Sequence, residues 1–141
     1  MTLEIKRILK CRNCGEALSL PVTIFDADSV EFHQPTFVDG EHVTRQGFVF
    51  MSHKPYRSSL EGPPDPLEFT PQYWMTIKDI LENVHLTKDA KRLNGCCGLD
   101  GCDGPNRVCS CGAYIGTEMN DCWTSYLFIP CPSQTEWSDI K

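Results

Sequence analysis

Cys11-Arg12-Asn13-Cys14-Gly15 has the form of a metal knuckle. Two intervening residues let both sulfurs face one ion, and the glycine permits the backbone turn beneath them. Cys109-Ser110-Cys111-Gly112 supplies a second closely spaced pair with the same Cys-Gly ending. Structural zinc sites are built from two such pairs, each hairpin giving two thiolates to a tetrahedral centre. Cys11, Cys14, Cys109 and Cys111 are therefore the expected ligands of one structural Zn2+. Because the second pair has one intervening residue where knuckles more often have two, Cys96 or Cys97 is an alternative to Cys109. Four thiolates leave the ion no open position for water, which points to a structural rather than a hydrolytic metal.

The chain holds nine cysteines, an odd number, so complete internal disulfide pairing is impossible. Cys96-Cys97 and Cys102 lie in a glycine-rich stretch, where vicinal cysteines can bind metal, form a redox-active disulfide or shape a loop. Cys122, beside Trp123, and Cys131, between two prolines, are expected to be unliganded thiols that pack as small hydrophobes. Asp100, Asp103 and Asn106 offer oxygens, but their spacing lacks the alternating carboxylates and closing glutamate of an EF-hand, so they read as turn formers. His33, His42, His53 and His85 are dispersed, and none neighbours a cysteine at ligand spacing. The sequence contains no Gly-x-Ser-x-Gly elbow, phosphate-cradling loop or His-Glu-x-x-His motif.

With 141 residues, 40% hydrophobic and 23% charged, the chain has the size and composition of one ordinary folded domain. A metal would supplement its core rather than replace it. The formal charge of -6 and the scatter of basic residues argue against nucleic acid, which needs a cationic face. Another protein or a small molecule is the expected partner. No stretch reaches the roughly 20 apolar residues of a membrane span. The opening Met1–Lys10 intersperses charges where a signal peptide would be continuously apolar, so the expected location is cytoplasmic and the thiols are expected to be reduced.

The elements that must position the cysteines read as mainly β (α+β): a small zinc-pinned antiparallel sheet with one or two short helices and long loops. A first strand, alternating Leu3 and Ile5 with polar neighbours and ending at Ile8-Leu9, delivers the chain to Cys11. Pro21–Phe25 and Val43–Met51 are further β-prone runs. Residues 54–72 contain Pro55, Pro63, Pro64, Pro66 and Pro71 and read as an extended surface loop within a single domain spanning 1–141. Thr76 followed by Asp79 has the pattern of a capping box, with Ile77, Ile80, Leu81 and Val84 at helical spacing. A second helical turn is predicted over Lys88–Leu93 after Thr87. Tyr126–Ile129 reads as the last strand, and residues 131–141 as a polar, loose tail.

The amino-terminal Cys-x-x-Cys-Gly, β-rich middle and late cysteine pair resemble the zinc-pinned β folds of the methionine sulfoxide reductase B, yippee and cereblon group. Leu93–Gly98, Asp103–Asn106, Cys109–Gly112 and Asp121–Trp123 also resemble a block found in small uncharacterised bacterial zinc-binding proteins. The resemblance implies the zinc and the sheet. It does not imply reductase catalysis, because the Arg-Tyr-Cys-type strand of that family is missing here. An aromatic ligand cage like that of the cereblon group would need Trp74, Trp123 or Trp137 to converge. The leading expectation is a structural-zinc binding or interaction protein whose proline-rich and glycine-rich loops present the contact surface. The alternatives are a thiol redox enzyme or sensor using Cys96, Cys97 or Cys102, and a bacterial immunity or antitoxin protein.

Overall fold

A computed structural model of the protein describes residues 6–26, 38, 40–56, 67–122 and 124–140. The expected positions Leu3, Ile5, His33, Pro63, Pro64, Pro66 and Trp123 lie outside them. Within the described residues the chain forms β1 (Lys6–Cys11), β2 (Val22–Asp26), β3 (Phe48–Ser52), β4 (Gln72–Trp74), β5 (Val84–Leu86), β6 (Arg107–Cys109), β7 (Tyr114–Met119), β8 (Leu127–Pro130) and β9 (Thr135–Asp139). One sheet has the order β4-β3-β2-β1-β9 and the other β5-β6-β7-β8. The architecture is thus mainly β, but in two sheets rather than one. Pairing is antiparallel except between β2 and β3, which run parallel from Thr23↔Phe48 to Asp26↔Met51. The long connection through residues 27–47 makes that possible, since parallel neighbours need a crossover of roughly a dozen residues or more.

Backbone bridges join the two sheets. Met75, just after β4, exchanges hydrogen bonds with Phe128 of β8, N to O at 3.2 and 2.8 Å. Leu9, Leu18, Val22 and Val49 from the first sheet and its loops pack with Val84, Ile115 and Phe128 from the second in one buried cluster, which also contains Cys11 and Cys109. A second cluster gathers Phe50, Tyr56, Leu67, Trp74, Met119, Leu127 and Ile129. The ends of the proline-rich segment are consequently anchored rather than loose. Buried Gln72 accepts from Tyr56 N and Trp74 Nε1 and donates to Leu67 O.

Three expectations need correction. The helix after Thr76 is a single 3-10 turn, Ile77–Asp79, and Val84 belongs to β5. Thr76 does cap that turn, accepting from Lys78 N, but Asp79 turns its carboxylate to Gly47 N at 2.8 Å instead of closing a capping box. Backbone pairing of Leu20 N with Asp79 O and of Leu81 N with Leu18 O claims the groups that a helix would have used. The second turn lies within its expected span, at Ala90–Arg92, with Asp89 as its cap. The tail is not loose, because β9 pairs with β1 from Arg7↔Asp139 to Cys11↔Thr135. The β-run expected from Val43 begins at Phe48; Val43 N instead donates to Tyr126 O. Among the described residues no helix is long and apolar enough to cross a membrane.

The β6–β7 pairing slips beside Arg107, and polar side chains repair it. Asn106, fully buried, accepts from Glu118 N and donates to Glu118 O, replacing a missing ladder pair with its amide. Arg107 Nε and Nη2 both reach Glu118 Oε1, at 2.9 and 2.7 Å, and the Glu118 side chain is only 6% exposed. Removing one member of such a buried pair strands the other charge. Arg107→Ala is expected to cost about 3 kcal/mol in urea unfolding, while Arg107→Met/Glu118→Leu should recover most of the loss. A cost for Arg107→Ala below about 1 kcal/mol would mean the pair contributes no more than a surface salt bridge.

Candidate metal centre

Each cysteine pair sits in a tight turn closing an antiparallel hairpin. After Cys11 ends β1, Gly15 N returns to Cys11 O at 2.8 Å, Cys11 N bonds Glu16 O, and Lys10 bridges Ala17. After Cys109 ends β6, Gly112 N bonds Cys109 O at 2.8 Å and Cys109 N bonds Ala113 O, which leads into β7. Gly15 and Gly112 have φ of +79° and +96°, a region that side chains with a Cβ rarely adopt. The Cys-Gly endings are therefore what lets each chain reverse directly behind its sulfurs. The shorter Cys-x-Cys spacing works because Cys109 to Gly112 close a four-residue turn.

The two turns face each other. The Sγ atoms of Cys11, Cys14, Cys109 and Cys111 all lie within 4.8 Å of one another. Cys11–Cys111 and Cys14–Cys109 are each separated by 3.6 Å. A tetrahedron with metal–sulfur bonds of about 2.3 Å has edges of about 3.8 Å, so this set is close to the size that a thiolate centre requires. Cys11 and Cys109 are buried, and Cys14 and Cys111 are exposed. Cys109, rather than Cys96 or Cys97, is the member of this group. Glu16 ties the turns together, its Oε2 accepting from Ser110 Oγ at 2.5 Å and from Cys109 Sγ at 3.7 Å. Arg12, on the first turn, holds β9 through Arg12 N to Gln134 O and Nε to Thr135 O.

A second group of possible ligands contains Cys96, Cys97 and Cys122, with the three Sγ atoms also within 4.8 Å of one another. Cys122, expected to be an isolated thiol, has Cys97 Sγ at 2.9 Å. The partner comes from 25 residues away, a separation at which sequence spacing carries no signal. Cys102 stands apart, its thiol directed to Asp100 O at 3.8 Å, and Cys131 lies beside Ser133 Oγ at 3.3 Å. The oxygens of Asp100 and Asp103 serve the turns, accepting from Cys102 N and Asn94 Nδ2. Trp74 is buried in the second core cluster, whereas Trp137 packs edge-on against Tyr73, so these two tryptophans form no common cage. Comparison with protein-family models, curated proteins and solved structures finds no match.

Cys109 and Cys111 differ sharply in acidity. The Asn13 amide, donating to Cys111 Sγ at 3.3 Å, with the Ala113 backbone behind it, lowers the Cys111 thiol to about 6. Burial raises the Cys109 thiol to about 12. In the metal-free protein, Cys111 thus ionises well before Cys109. Iodoacetamide followed by peptide mass mapping is expected to label Cys111 ahead of Cys109, with a rate that rises through about pH 6. Asn13→Ala should move that midpoint upward. Equal labelling of the two thiols across the pH range would contradict this assignment.

Proposed function

We propose that Cys11, Cys14, Cys109 and Cys111 hold one structural zinc ion, and that the protein acts as a binding or interaction module built around it. The observation that carries this reading is the near-tetrahedral spacing of four sulfurs drawn from hairpins of two different sheets. Thiolates favour zinc among common divalent ions, and a closed set of four suits fixing a fold rather than activating water. In this role the ion joins the β1 turn to the β6–β7 turn at the edge of the core that both sheets share.

Two recesses support a binding role. One, of about 450 Å³, is walled by Pro71, Tyr73, Pro130, Pro132 and Trp137 and carries Arg12 from the first cysteine turn. The other, of about 440 Å³, places Cys97 and Gly98 of the glycine-rich loop beside His42, Lys78, Glu118 and Tyr126. Both combine apolar walls with a few polar groups at a size suited to a small molecule or a partner's side chains. The formal charge of -6 favours a neutral or cationic partner over nucleic acid.

Metal analysis of the purified protein beside Cys11→Ser, Cys109→Ser and Cys97→Ser tests the assignment. Cys11→Ser and Cys109→Ser are expected to lose the tightly held zinc and to melt at lower temperature, since metal binding free energy is folding free energy. Cys97→Ser should keep that ion. Tight zinc retained in Cys11→Ser would overturn the reading.

A further inference from the structure

We propose that Cys96, Cys97 and Cys122 form a second, exchangeable zinc site with three thiolate ligands and an open fourth position.

The three cysteines come from two loops, and the loops are held together by backbone contacts rather than through the sulfurs; Cys97 Sγ and Cys122 Sγ, 2.9 Å apart, must open toward the edge of about 3.8 Å that a zinc tetrahedron requires. Asp121, only 3% exposed, accepts from Cys96 N at 3.1 Å, Cys97 N at 2.8 Å and Cys122 N at 2.7 Å. One carboxylate thus orients the backbone of all three residues. Asn120 reinforces the same junction: its Oδ1 accepts from Leu99 N at 2.6 Å, and its N–H donates to Leu99 O. At Gly98 the loops approach so closely that a Cβ would collide with Asn120 Oδ1.

Packing does not account for this arrangement. Free cysteines are usually buried as small hydrophobes, yet all three here are exposed. Three exposed sulfurs within 4.8 Å are instead arranged as ligands for a thiophilic cation. With three protein ligands, tetrahedral zinc keeps one position for an external donor. That position exchanges, in contrast to the closed four-cysteine set. Cys97 also lines the recess of about 440 Å³, so the centre lies beside a space that can admit a small donor such as a low-molecular-weight thiol.

The competing chemistry is a Cys97–Cys122 disulfide, formed by loss of two electrons and two protons to an oxidant such as a hydroperoxide. Bound zinc would block that step by occupying both sulfurs.

The test uses the full chain, reduced and then loaded with Zn2+, or with Co2+ as a spectroscopic probe. Wild type is expected to bind two equivalents, one lost rapidly to a chelator and one slowly. Cys96→Ser/Cys97→Ser/Cys122→Ser should lack only the rapid equivalent, and Cys102→Ser should keep both. Adding 2-mercaptoethanol should change the visible absorption of the rapid Co2+ equivalent and leave the slow one unaltered. The absence of a rapidly lost equivalent in fully reduced wild type, or its persistence in the triple variant, would overturn the second site. So would a Cys97–Cys122 disulfide that forms at the same rate with and without saturating Zn2+. The slow equivalent depends on Cys11 and Cys109, so failure of the structural centre is read separately.

Discussion

Holding four thiols within 4.8 Å of one another makes the ionisation of each depend on the other three. Like charges at such distances oppose one another, so a full set of thiolates is compatible only with a cation among them. Asn13, donating to Cys111, makes that thiol far easier to ionise than Cys109, which burial holds back. Both buried members, Cys11 and Cys109, also belong to the core shared by the two sheets. Ionisation of the cluster and the meeting of the sheets are therefore linked through the same residues. The Gly15 and Gly112 turns bring the sulfurs together, β9 braces the first turn through Arg12, and Glu16 links it to the second.

The residues that form this cluster were legible because each pair is local. Two cysteines and a following glycine within five positions specify a turn with sulfurs on one side, whatever the rest of the chain does. β2 and β8 were similarly visible from dense β-branched and aromatic residues around Ile24 and Phe128, and β1 from the alternation that ends at Ile8-Leu9. What spacing did not contain was partnership. The parallel pairing of β2 with β3 depends on a long crossover, and the joining of the two sheets depends on Met75 meeting Phe128.

The misread helix shows the same limit from the other side. Ile77, Ile80, Leu81 and Val84 have helical spacing, and Thr76 supplies a working cap. Isolated short helices are marginal, however, and the β-branched members of this set carry low helix propensity. Residues 18–20 offered the backbone of residues 79–81 a set of hydrogen bonds that also buries Leu18, and the chain left the helical region after one turn. The tail departs from its polar pattern for a related reason. Thr135-Glu136-Trp137 looks polar, but an edge strand needs only one apolar face, and Trp137 provides it against Tyr73 while the backbone pairs with β1.

Comparing the two cysteine clusters separates what a metal does for a fold from what a fold can do for a metal. In the first, two sulfurs are buried and all four belong to turns whose strands form the core, so an ion held there would be coupled to the packing of both sheets. In the second, the sulfurs are exposed and the loops are already fixed by Asp121 and Asn120. The backbone around them is held by the protein's own hydrogen bonds. A site whose framework persists without its ligand can exchange that ligand at little cost in stability, because binding is then not coupled to folding. On the proposed assignment, a metal that holds the fold and one that exchanges would be kept on separate residues. The separation rests on Asp121, which gives the second group its scaffold from the protein's own hydrogen bonds.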